Sequence, residues 1–172
     1  MNARVRLVMA REPVPLRGPS VFLAGPTPEA GGPPSWRPAA FDVLAARWSD
    51  PRELVVVSPE SRDGLRASSY EEHVDWEIDS RASVAAIMFW IPRDMRTLPG
   101  LTTNTEFGMD VDTGRAVLGV PPDCPNPERN RYLAHVARRH GVPVRYTLED
   151  TVAAALGLAA ATGPAPTVRT RG

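Results

Sequence analysis

The chain has 172 residues, of which 42% are hydrophobic and 23% charged, and its formal net charge is +0. That length builds one hydrophobic core, the balance excludes a mainly disordered chain, and the zero net charge leaves no field to draw in a nucleic-acid backbone. All 20 basic residues are arginines, which removes lysine Schiff-base and P-loop chemistry together. The single Cys124 makes neither an internal disulfide nor a multi-cysteine zinc site and suits a cytoplasmic protein. No apolar run approaches the ~18–20 residues that cross a bilayer. The first ten residues lack the apolar stretch of a signal peptide.

Residues 1–19 read as an irregular N-terminal segment with residues 5–8 as an edge strand. Residues 20–25 form a short apolar run ended by Gly25-Pro26, a buried strand feeding a Gly/Pro-rich loop over 27–34. Ser35 is placed to cap a helix over 36–48, with Phe41, Leu44, Ala45 and Trp48 on its apolar side. Residues 54–57 are a second buried strand. Ser68 or Ser69 caps a helix running to about residue 83, whose stripe Val74, Ile78 and Ala82 predicts a core-facing side. Residues 85–91 are apolar throughout and stopped by Pro92, as a buried parallel strand would be. A polar loop over 92–103 precedes a short helix over 105–113. A fourth strand follows over 115–120, then a basic helix over 127–140 with Arg129, Arg131, Arg138 and Arg139. A last weak strand over 142–144 and an Ala-rich helix over 148–161 complete the pattern.

Strands alternating with helices predict an α/β fold. The expected form is doubly wound: a mainly parallel five-stranded sheet in a Rossmann/flavodoxin-like three-layer sandwich. One domain is expected over residues 20–162, with a flexible tail over 163–172 and no internal repeat. In such sheets ligands sit beyond the carboxyl ends of the strands. That rule points to residues 24–28, 58–61 and 92–106.

Within those segments Glu106 stands out. It follows the loop after the most apolar strand and opens a helix, where free backbone N–H groups favour an ionised carboxylate. The competing reading is a capping box, because Thr103 and Glu106 fit S/T-x-x-E. Glu77 lies beside the apolar stripe of the preceding helix, with His73 one turn earlier on the same side. Asp79 flanks the other side, with Asp75 one turn before it. Glu77 and Asp79 are about 200° apart around a helix and cannot both face one pocket. For any lone carboxylate a solvated face is the competing reading. His73, His135 and His140 have no metal-ligand spacing.

The segments Phe22-Leu23-Ala24-Gly25-Pro26-Thr27-Pro28, Trp76-Glu77, Ile87-Met88-Phe89-Trp90-Ile91-Pro92, Leu101-Thr102-Thr103-Asn104-Thr105-Glu106-Phe107-Gly108, Gly114-Arg115 and Leu118-Gly119 together resemble the nucleoside 2-deoxyribosyltransferase-like family. The resemblance runs from about residue 20 to residue 122, with a weaker match through Arg131-Tyr132-Leu133 and the final helix. It implies a Rossmann-like fold and cleavage of the N-glycosidic bond of a nucleoside or nucleotide; no cofactor and no metal are expected. The family's nucleophilic glutamate falls on Glu106, where a fixed carboxylate would meet the positive charge that grows on the sugar and form a glycosyl-enzyme.

A second carboxylate with a raised pKa would protonate the leaving base; Glu77 is the first choice and Asp79 the second. Ala24, Gly25, Pro26 and Thr27 would line the base or sugar site. Gly25-Pro26 is equally a plain strand-ending turn. Thr103 and Asn104 would bond sugar hydroxyls or a 5′-substituent, or else cap the helix. Trp90 would cover the base, or else sit in the core.

The expected partners are a small-molecule nucleoside or nucleotide and further copies of the chain as a homodimer or larger homo-oligomer, with no nucleic acid and no membrane. Two features depart from the best-known transferases. Residues 99–101 lack the acidic residue they carry before the nucleophile, and the tail over 167–172 is basic where they supply a carboxylate to a neighbouring subunit. Both weigh toward cleavage over transfer. The alternatives are a nucleoside 5′-monophosphate N-hydrolase, a nucleotide-binding module of the same fold without turnover, and a TIR-like NAD-glycohydrolase.

Overall fold

Four Pro-bounded runs rich in β-branched and aromatic residues become strands because such side chains fit a pleated surface buried on both sides. The computed structural model describes residues 4–14, 18–29, 31–62 and 69–162. The strands are β1 (Val5–Val8), β2 (Ser20–Ala24), β3 (Leu54–Val57), β4 (Ala86–Trp90), β5 (Ala116–Gly119) and β6 (Val144–Arg145). They form one parallel sheet in the order β1-β3-β2-β4-β5-β6. The sheet has six strands rather than the expected five, because both marginal segments join it. Val5 pairs in register with Leu54 on one edge, and Val144 with Leu118 on the other. Without β1 the order is that of a flavodoxin-like doubly wound sheet.

Helices α1 (Arg37–Arg47), α2 (Tyr70–Ser83), α3 (Leu101–Asp110), α4 (Arg131–Arg139) and α5 (Leu148–Ala161) cover both faces. The period of two along each strand splits the core. Val21, Leu23, Ala86, Met88 and Trp90 pack with Leu44 of α1 and Val152 and Ala155 of α5. Phe22, Ala24, Ile87 and Phe89 pack with Phe107 of α3 and Leu133 and Ala137 of α4. Each such Leu or Phe, fully removed from water, contributes about 1.5–3 kcal/mol. Helix α1 leaves β2 toward one face and α3 leaves β4 toward the other, while β2 and β4 lie side by side. The loops beyond these two strands therefore diverge and open a crevice.

Several local expectations change. The basic segment splits into a 3-10 turn (Pro127–Asn130) and α4. Ser69 caps α2 by accepting from the Glu72 N–H; Ser68 lies outside the described residues, as does the tail over 163–172. The Val74–Ile78–Ala82 stripe of α2 is not a core face. Ala82 and Ile78 are exposed and Val74 half-buried, whereas Ser80 and Arg81 are buried. Helix α3 begins at Leu101, earlier than expected, with Gly100 as its N-cap in the left-handed region. Thr103 therefore lies inside the first turn and Glu106 in the second, and no capping box forms.

Candidate functional site

The crevice holds a cavity of about 500 Å³, walled by the loop after β2, one side of α2, and the start and one side of α3. Its floor begins at Gly25. The φ of Gly25 is 147°, and a Cβ there would sit 2.2 Å from the Trp90 carbonyl oxygen. Only glycine lets the β2 loop press this close to β4.

Behind the loop stands Arg37, fully buried at the start of α1. Its Nε donates to the Leu23 carbonyl at 3.0 Å and its Nη2 to the Gly25 carbonyl at 2.7 Å. Its Nη1 donates to Thr27 Oγ1 at 3.0 Å and to Glu60 Oε1 at 2.8 Å. The guanidinium lies over the Trp36 ring, 4.8 Å from its centroid. Burial pulls the Arg37 pKa down, against the opposing charge of Glu60, and arginine keeps its proton in either case. One side chain thus fixes the backbone of residues 23–27.

Helix α2 presents His73, Val74, Glu77, Ile78 and Arg81 to the cavity. These positions fall at i, i+1, i+4, i+5 and i+8, which is one helical face. The apolar pair in that face is cavity wall, which explains why it is not packed into the core. His73 Nε2 lies 3.5 Å from Glu77 Oε1. Burial and the Arg11 charge lower the His73 pKa, so the ring is neutral at pH 7. From α3 come Thr102, Thr105, Glu106 and Met109. Arg81 Nη1 lies 3.7 Å from Glu106 Oε1, and Arg81 Nε donates to Asp110 Oδ2 at 2.7 Å.

Glu106 and Glu77 are each about one-fifth exposed in their side chains. Burial raises the Glu106 pKa, the Glu77 charge and more weakly the Asp110 charge raise it further, and Arg81 and Arg37 act against them. Burial likewise raises Glu77, with Arg81 and Arg37 opposing.

The third wall, Pro99 to Thr102, is held by Arg93, a second buried arginine. Its Nη1 bonds the Pro99 carbonyl and, at 3.2 Å, the Gly100 carbonyl. Its Nη2 donates to Asn104 Oδ1 at 2.7 Å and its Nε to Asn130 Oδ1 at 2.9 Å.

Of the residues singled out in the sequence, the structure brings Ala24, Gly25, Pro26, Thr27, Glu77 and Glu106 to this one cavity. Four others lie elsewhere. Asp79 is exposed and lines no part of it. Trp90 has the strand parity of Met88 and so faces α1 and α5, where its indole lies over Gly119; a Cβ on that glycine would come within 2.4 Å of Trp90 Cε3. Thr103 is buried in the first turn of α3, and Asn104 points its amide oxygen at Arg93 rather than at the cavity.

Sequence reasoning missed Arg37, Arg81 and Asp110. Arg81 carried a signal, since it continues the i, i+4 series His73–Glu77–Arg81, and Asp110 stands at i+4 from Glu106. Among the described residues no group of three or more His, Cys, Asp or Glu is arranged to hold a metal ion. No helix among them is long and apolar enough to cross a membrane.

The family model described as nucleoside 2-deoxyribosyltransferase like matches residues 18–124. That span holds β2 through β5 and every residue of the cavity named above. No curated protein matches the chain.

Proposed function

The chain belongs to the nucleoside 2-deoxyribosyltransferase-like family, and on that premise we propose that it breaks the N-glycosidic bond of a nucleoside or nucleotide, with Glu106 as nucleophile and Glu77 as general acid. One observation carries this reading: two half-buried carboxylates from neighbouring helices line a single cavity beyond β2 and β4, and burial raises the pKa of both. Two such groups hold one proton between them over a range of pH. Glu106 has the Arg81 guanidinium 3.7 Å away, whereas Glu77 meets the neutral His73. Arg81 and Arg37 oppose the rise in both groups, so the roles are divided on the family resemblance: its glutamate falls on Glu106, which reacts as the carboxylate, and Glu77 reacts as the acid.

In the reaction an oxygen of Glu106 attacks C1′. The C1′–N bond breaks with its electron pair moving to the base nitrogen, which takes the proton from Glu77. Glu77 then removes a proton from water or from an incoming base that attacks the glycosyl-enzyme. The loop over 24–27, held by Arg37, lies against the sugar or base. Thr103 and Asn104 serve by building the first turn of α3 and joining it to Arg93, and Asp79 and Trp90 take no part. The exposed Tyr70, Leu101 and Met109 at the cavity mouth support a homo-oligomer, which light scattering would check.

The test is mass spectrometry of products from a panel of nucleosides and 5′-monophosphates, with and without a second free base. Exchanged nucleoside shows transfer and free sugar shows hydrolysis; either supports the reading. A ligand bound but returned intact makes the protein a nucleotide-binding module and overturns it.

A further inference from the structure

We propose that Asp110 is a positioning residue that holds Arg81 as a standing ion pair, so that the guanidinium attracts the Glu106 carboxylate without gripping it. The proposal rests on the assignment of Glu106 as nucleophile. Asp110 and Glu106 occupy i and i−4 on α3, so both point at the one guanidinium that α2 sends between them. The two distances differ in kind. Asp110 takes a charge-assisted hydrogen bond at 2.7 Å, whereas Glu106 stays at 3.7 Å, inside ion-pair range but beyond a hydrogen bond. Arg81 is 2% exposed and cannot swing out to solvent. Its own carbonyl accepts from Arg115 Nη1 at 2.6 Å, which pins that turn of α2.

This division has two chemical consequences. First, both oxygens of Glu106 keep lone pairs for the sugar, while a fork-on bond from arginine would occupy them. Second, the charges stay balanced through the cycle. When Glu106 oxygen bonds to C1′, and the C1′–N pair leaves on the base with the Glu77 proton, Glu106 becomes a neutral ester. The negative charge has then moved to Glu77, one helical turn before Arg81, and a guanidinium paired to Glu106 alone would have lost its partner and would have to shift to find another. Paired to Asp110 it is compensated before and after the bond forms. The other groups facing Glu106 are Glu77 and His73 on α2, Arg37 on α1 and Glu29 in the β2–α1 loop. Of these, Arg37 is already paired to Glu60, so Arg81 is the cation that Asp110 governs.

The experiment compares wild type, Arg81→Gln, Arg81→Lys and Asp110→Asn by the pH profile of kcat/KM and by NMR titration of 13C-labelled glutamate carboxyls. Loss of the cation in Arg81→Gln should move the acid limb and the Glu106 titration up by about one pH unit. In Asp110→Asn the anion that raises Glu106 is gone and the freed guanidinium should close on Glu106; both move the limb and the titration down, and the closing is read in the plateau rate, which should fall about tenfold. Arg81→Lys should restore the acid limb but not the rate, since one ammonium cannot replace the fork. A staple that merely joins α2 to α3 would lower the melting temperature and leave the limb and the Glu106 titration where they were in all three variants; that result overturns the proposal. If wild type releases no base from any substrate, the functional reading falls, and the glutamate titration still decides the Arg81–Asp110 arrangement on its own.

Discussion

On one face of the sheet, α1 and α5 bury Leu44, Val152 and Ala155 against strand residues that are all close to fully enclosed, and neither helix exposes a large apolar side chain. On the other face, α2 and α3 hold buried Arg81 and Asp110, two half-buried glutamates and an open cavity, and they expose Tyr70, Ile78, Leu101 and Met109 at its mouth. The strands supply both faces with the same alternating apolar residues. The difference lies in the helices: the α1–α5 layer is built to exclude water, and the α2–α3 layer gives up packing to hold charge beside a space. Stability and chemistry are thereby separated by the thickness of one sheet.

Substitutions should respect that separation. Glu106→Gln should lower base release by about a thousandfold or more, equivalent to about 4 kcal/mol of barrier, while leaving the melting temperature equal or higher, because it removes a half-buried charge facing Glu77. Single-turnover kinetics beside calorimetry would show it; a variant with both activity and stability lost would break the comparison. Leu44→Ala on the opposite face should do the reverse, costing about 2–5 kcal/mol in urea unfolding with unchanged turnover per folded molecule. Gly25→Ala touches both layers, since its Cβ meets the Trp90 carbonyl. Backbone strain alone should cost about 1–3 kcal/mol, and KM should rise as the loop shifts.

The two faces should also answer pH in opposite directions. Glu77 and Glu106 have pKa values raised above 4.5, so across that range the folded chain binds more protons than the unfolded one. Their stability contribution is present below 4.5 and is lost as pH climbs through the raised values. Urea midpoints should decline over that window, and a Glu77→Gln/Glu106→Gln double variant should decline less. Asp50, at the turn between α1 and β3, is held at about 2 by Arg52, which also donates to Ala160 and Thr162 carbonyls at the end of α5. Its contribution is present above 3.8 and fades as pH falls toward 2. Because that pair sits half-buried at the rim, still open to solvent, Asp50→Asn should shift the melting temperature at neutral pH only slightly; a large shift would mean that the α1–α5 layer leans on its rim more than on its core.

The strands were legible because an apolar run bounded by Gly or Pro has few other uses, and the segments beyond β2, β3 and β4 followed from the rule that ligands sit at the carboxyl ends of such strands. Glu106 and Glu77 were legible from their places beside those segments. Trp90 was harder to place: an all-apolar strand conceals which residues face which side, and only the parity shared with Met88 assigns it to the α1–α5 layer. The stripe of Val74 and Ile78 misled for a related reason, since a cavity wall and a core face have the same spacing. Arg37, Arg81 and Arg93 were not singled out, since nothing local to them marks a buried arginine. Their burial depends on acceptors far away in sequence, such as Leu23, Asp110 and Asn130.

Arg93 joins Pro99, Gly100 and Asn104 on one side to Asn130 on the other using carbonyl and amide oxygens alone. None of those acceptors takes up a proton in the acid range, and the guanidinium does not lose one. Acidification that silences the carboxylates should therefore leave this wall standing. The protein would pass through a form that is inert but still shaped for its ligand, and raising the pH should bring activity back without refolding.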